Sequence, residues 1–167
     1  MSDLKITSSR IGAEVTINLI GEMNEKANVT LPEMIEVTSV VFDFVHLKHL
    51  NSAGIRFWIT LLGKLPSGSV VHFRNAPKFV VDQMSMVQGF MPPGSVVDSF
   101  EMPYFCDKCN KPDSEMLKAG VHFDQAVAGK PYALRLPKKT CGQATCEFEP
   151  DMMPKKYLKC LENPKKG

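Results

Sequence analysis

Apolar side chains recur at every second position from Ala13 through Val15 and Ile17 to Leu19. Glu14, Thr16 and Asn18 lie between them, a pattern that predicts a half-buried β-strand. A shorter strand over residues 4–7 is expected to pair with it across the turn Ser9-Arg10-Ile11-Gly12. Gly21 and Asn24 close the strand, and residues 25–37 follow with a weak helical pattern interrupted by Pro32. Residues 40–45 are nearly continuous in apolar character, as in a central strand covered on both faces. Residues 46–51 read as a polar loop, and residues 52–65 as a helix stopped by Pro66. Val70-Val71-His72-Phe73 is the next strand. Pro77 opens a second helix in which Val80, Met84, Val87 and Met91 keep helical spacing, and Val96-Val97 begins a last short strand. Strands alternating with helices predict an α/β layered body.

The pattern changes after residue 102. All five cysteines lie beyond residue 105, four of them in two short-spaced pairs, Cys106-x2-Cys109 and Cys141-x4-Cys146. Two such pairs on separate turns supply the four soft ligands of a tetrahedral zinc site, and the 31 intervening residues are enough for a pair of strands. Disulfides or unrelated buried thiols are the competing reading. Few apolar residues lie in that interval (Val121, Phe123, Tyr132, Leu134 and Leu136), so metal ligation would contribute much of the local stability. Four protein ligands leave no open position, which makes one structural Zn2+ per chain the expectation. The organisation that follows is a body over residues 1–102 and a small zinc-ribbon-like β subdomain over residues 103–167. Cys160, beside Tyr157, Leu158 and Leu161, reads as a buried small hydrophobe. His46 and His49 read as polar loop residues, with His122 a substitute ligand only if a tail cysteine does not serve.

Composition narrows the class. The chain has 167 residues, 44% hydrophobic and 23% charged, with a net charge of +2, ordinary for a globular protein and too little to make nucleic acid or an acidic membrane the main partner. No apolar run approaches membrane-spanning length, and the start lacks a basic-then-apolar leader pattern, so a cytoplasmic protein is expected.

The junction Phe42-Asp43-Phe44-Val45 … Asn51-Ser52-Ala53-Gly54-Ile55-Arg56 resembles the core of the STAS family, named for sulphate transporters and anti-sigma-factor antagonists. Leu19-Ile20-Gly21-Glu22-Met23 is similar to the family's strand end, and His72-Phe73-Arg74-Asn75-Ala76-Pro77 to its later strand and helix entry. The resemblance covers roughly residues 4–100 and implies a mixed sheet with packed helices. It also implies a bacterial signalling module whose protein partner is an anti-sigma factor or serine kinase. Ser52 takes the family's phospho-acceptor position, and Asn51 stands where aspartate is usual. The partner surface implied is Asn51, Ser52, Gly54, Arg56 and Phe57.

The chemistry at Ser52 has two readings that the sequence leaves open. A helix start offers unpaired N–H groups that welcome a phosphate, and serine there is equally an ordinary N-cap. Ile55, Trp58, Ile59, Leu62 and Leu65 are expected to face the sheet, with Phe57 and Leu61 widening the apolar arc to roughly 200°. That extra width is either covered by the second helix or forms a partner groove. No Gly-rich phosphate loop, Gly-x-Ser-x-Gly or His–carboxylate set accompanies Ser52, so a non-catalytic role is expected. The alternative is a zinc-ribbon nucleic-acid-binding or transcription-associated protein. Lys108, Lys111, Lys130, Lys138 and Lys139 favour it; Asp107, Asp113, Glu115, Glu147 and Glu149 dilute them. Self-association is left open.

Overall fold

The computed structural model describes residues 2–140, 142 and 146–164. Its first layer is a five-stranded mixed sheet in sequential order: β1 (Lys5–Ile11), β2 (Glu14–Met23), β3 (Ser39–Leu50), β4 (Val70–Arg74) and β5 (Val96–Val97). β1 and β2 form an antiparallel hairpin closed by Gly12, at φ +60°, and Ala13; β2 to β5 run parallel. The predicted turn therefore begins later than expected, because Ser9, Arg10 and Ile11 continue the ladder opposite Thr16, Val15 and Glu14.

The crossovers are α1 (Ser52–Leu62) and α2 (Lys78–Met86). Val15, Ile17, Val40, Phe42, Val71 and Phe73 alternate onto the buried face of the sheet. Trp58 from α1 is fully buried among Phe42, Phe44, Phe73 and Phe90, with ring centroids 4.7 to 5.9 Å away. Its indole N–H, which could not stay buried unpaired at low cost, donates to the Phe90 carbonyl at 2.8 Å. On the other face Val41 is also buried, in register with Thr16 and His72, and polar groups surround it: Asn18 donates to Thr7, and Asp98 holds His72 at 3.0 Å and Arg74 at 3.6 Å.

Several expectations are corrected here. Residues 25–37 form turns and extended chain, not a helix; β-branched Val29 and Thr30 and the missing N–H of Pro32 oppose helix, and Glu36 is at φ +59°. Val37 is buried and Leu31 and Met34 half-buried, so the segment straps the core. Residues 46–50 continue β3 along the second half of β2, where Leu47 is buried while His46, Lys48 and His49 point outward. In α1 the buried set is Gly54, Trp58 and Leu61, and Ile59 is exposed. The helix is thus turned toward Leu61 relative to the expected stripe. α2 stops at Met86, with Val87 already extended.

A second, antiparallel sheet has the order β10 (Lys139–Thr140), β11 (Glu147–Pro150), β6 (Ser99–Cys106), β7 (Lys111–Lys118). β8 (Phe123–Asp124) and β9 (Ala133–Leu134) make a small hairpin beside it. β6 begins against the first layer, where Ala76 bridges Phe100. Residues 102 and 103 both lie inside this strand. The chain then places α3 (Pro154–Tyr157) and a 3-10 turn (Leu158–Glu162) on α2. Phe100, Met102, Tyr104, Tyr157, Leu158 and Leu161 belong to the same hydrophobic cluster as Trp58 and Phe73.

Candidate metal centre

β6 alternates strictly: Phe100, Met102, Tyr104 and Cys106 are buried, with Glu101, Pro103 and Phe105 only partly so. Period-two alternation therefore delivers the Cys106 thiol as the last inward side chain of the strand. Asp107, Lys108, Cys109 and Asn110 then turn the chain into β7, with Asn110 at φ +50° and Cys106 opposite Lys111. This reversal swings Cys109 back over the strand end. Cys146, also buried, immediately precedes β11, whose Glu149 pairs with Phe105 of β6. Two hairpin tips from one sheet thus converge on one point.

The Cys106 and Cys146 sulfurs are 2.7 Å apart, those of Cys109 and Cys146 3.0 Å, and all three lie within 4.8 Å of one another. These three cysteines could bind a metal ion. Zinc–sulfur bonds of about 2.3 Å in a tetrahedron put sulfurs about 3.8 Å apart, so such an ion would spread the two closest pairs by roughly 1 Å. Lost hydration, with the hydrogen bond and charge of Cys106, pushes the Cys109 thiol up, against the pull of Lys111 and Lys108. A dication among the sulfurs reverses that balance by favouring thiolates. Cys141, the fourth expected ligand, lies outside the described residues.

The remaining sulfur and nitrogen candidates are elsewhere. The His122 Nδ1 accepts the Lys118 N–H at 2.9 Å, and His46 and His49 are exposed on β3. Cys160 is buried beside Ser85, and burial raises its thiol to about 11, which makes it an inert packing residue, as expected.

In the sequence Lys139 counts only as one more basic residue; in the fold it is a structural one. Its ammonium contacts Asp113 at 3.0 Å, the Ser114 carbonyl at 2.9 Å and Glu115 at 2.9 Å, and it is largely covered. The Tyr104 hydroxyl reaches the Pro137 carbonyl at 3.3 Å. The chain entering the second hairpin tip is thereby fastened to β7, which leaves the first. Those contacts, led by Glu115 and then Asp113, raise the Lys139 pKa, so it stays charged. No local pattern in the sequence announces that a lysine at the edge of one hairpin meets two acids on another.

The start of α1 is the second place where expected site residues gather. Asn51 is the N-cap: its side-chain oxygen accepts the Gly54 N–H at 2.9 Å, and its amide donates to Glu25 at 3.0 Å. A backbone hydrogen bond and then the Asn51 amide hold the Glu25 carboxyl below its usual range. The N-cap reading of Ser52 is therefore corrected. Ser52 is the first helical residue, and it is exposed. Gly54 has no room for a side chain, since a Cβ there would sit 1.9 Å from the Met23 carbonyl oxygen. Arg56 is exposed, and Phe57 is half-buried against the hydrophobic cluster.

Comparison of this chain with family models, with curated proteins and with solved structures returns no match.

Proposed function

We propose that this chain is a non-catalytic binding module of STAS type, with a structural zinc in its C-terminal ribbon and a protein partner at the start of α1. The observation that carries the metal half is the convergence of Cys106, Cys109 and Cys146 from two hairpin tips of one sheet. Cys141 completes the tetrahedron in this reading. Zinc then locks the ends of β6 and β11 together and leaves no coordination position for catalysis.

The partner half rests on the exposed Ser52 one residue inside α1. Capping by Asn51 leaves its hydroxyl free of that duty, and first-turn N–H groups can receive phosphate oxygens. A phosphate there would add up to about two negative charges to the surface that Arg56 and the exposed edge of Phe57 share. By the resemblance, the partner is an anti-sigma factor or a serine kinase, and the modification releases it.

Native-lysate capture with wild-type protein, Ser52→Ala and Ser52→Asp is the test. Wild type and Ser52→Ala should retain the same protein partner, and Ser52→Asp should lose it. Equal recovery of one partner by all three would remove the switch. Recovery of nucleic acid by all three would instead support the zinc-ribbon nucleic-acid alternative.

A further inference from the structure

A groove runs between α2 and the C-terminal segment. Ser85 pins its two walls: its hydroxyl donates to the Tyr157 carbonyl at 2.6 Å and accepts the Cys160 N–H at 3.2 Å. Two cavities, of about 430 and 490 Å3, meet at Ser85 and Met86. Met86, Met152, Met153 and the Tyr157 ring line the first. Met86 is 63% exposed and Met153 74%. Single exposed apolar side chains are ordinary on a protein surface, but two on one apolar hollow are a candidate contact. Methionine suits that use, being unbranched, polarisable and able to mould to an incoming side chain.

Charge decides what would enter. On the C-terminal wall, exposed Lys156 lines the apolar hollow and exposed Lys159 the adjoining cavity, and among the described residues neither makes an ion pair. On the α2 wall, Asp82 is held by Lys78 at 2.8 Å, and among the described residues Glu162, which lines the second cavity, is the lining acid without an ion pair. The open wall is therefore basic and the hollow apolar.

We propose that this groove docks a short acidic peptide segment of a protein partner, which inserts an apolar side chain between Met86 and Met153. The peptide's carboxylates lie along Lys156 and Lys159, and its anchor covers the methionines against Tyr157. This surface involves neither Ser52 nor the cysteine centre, so it stands apart from the function proposed above.

The test uses the full chain with 13C-labelled methionine methyl groups and two synthetic amphipathic helices, leucine on one face and glutamate or lysine on the other. The glutamate peptide should shift the Met86, Met152 and Met153 signals and leave the buried Met23 in place. Reversing the two exposed lysines that line the groove, Lys156→Glu with Lys159→Glu, should weaken that binding by about tenfold or more. Ser52→Asp should leave it unchanged. Three results would each overturn the proposal: no shift up to millimolar peptide, equal binding of the lysine peptide, or the same shifts on raising protein concentration alone. The last would make a second copy of the chain the occupant.

Discussion

Gly54 shows how tightly one position can be specified. Asn51 hydrogen-bonds Met23, and α1 starts so close to β2 that any Cβ at Gly54 meets a backbone oxygen 1.9 Å away. Backbone cannot yield as a flexible side chain can, so Gly54→Ala should cost about 3 kcal/mol or more, read from the denaturant midpoint. Asn51→Ala removes the cap and should cost about 1 kcal/mol, whereas Ser52→Ala should leave stability within about 0.5 kcal/mol of wild type. A cost at Ser52 equal to that at Asn51 would mean that the cap is shared. Cys160 gives a pH signature. Its thiol titrates near 11 when folded, raised chiefly by burial from the ordinary value of 9. A raised folded pKa means that the unfolded chain loses the proton first. The contribution of this thiol is complete below pH 9 and falls away as pH rises toward 11, on the order of 2 kcal/mol in all. Cys160→Ala should flatten that alkaline slope, measured as midpoint against pH.

Among the elements, those with strong local patterns were legible and those decided by distant partners were not. The alternation from Val15 to Leu19 and the apolar run around Phe42 are the middle of the sheet, and the order of strands and helices through the first layer follows the pattern. The cysteine spacing pointed to the centre that Cys106, Cys109 and Cys146 form. Polar His46, Lys48 and His49 give residues 46–51 the pattern of a loop, yet pairing with β2 extends the strand through Leu50 and only Leu47 needs to face inward. Residues 25–37 carry enough apolar side chains to suggest a helix, but their burial as an extended strap comes from the core beneath them. The outward turn of Ile59 was equally out of reach, since which side of a wide apolar arc is covered depends on Trp58 finding its aromatic cage. Lys139 is the clearest case: its three contacts bring together two hairpins far apart in sequence. As a positioning residue it should affect metal retention, so Lys139→Met should lower zinc affinity by about tenfold in a competition titration with a chromophoric chelator. Lys139→Arg should restore most of the loss, and an unchanged affinity in Lys139→Met would show that the hairpins hold their places without the brace.

At the scale of the whole molecule, β6 is the link. It enters the first layer at Phe100, beside Phe123 and Tyr157, and ends at Cys106 in the cysteine centre. The Tyr157 hydroxyl closes the same connection by donating to the Glu101 carbonyl. Removing the metal should therefore be felt in amide exchange at α2 as well as in the β6–β7 hairpin, because the hydrophobic cluster that holds Val80, Val81 and Met84 of α2 runs along the strand through Phe100 and Met102 to Tyr104. Exchange that quickens only around residues 106–111 would mean that the centre is energetically isolated. The proposed brace between the two hairpin tips depends on the ion itself. Elemental analysis of protein purified under reducing conditions, with thiol titration before and after chelation, measures it directly. The expected result is about one zinc per chain, with Cys106 and Cys109 unreactive until the chelator is added. Protein free of metal, with every thiol reactive in the native state or with the paired cysteines joined as disulfides, would contradict it.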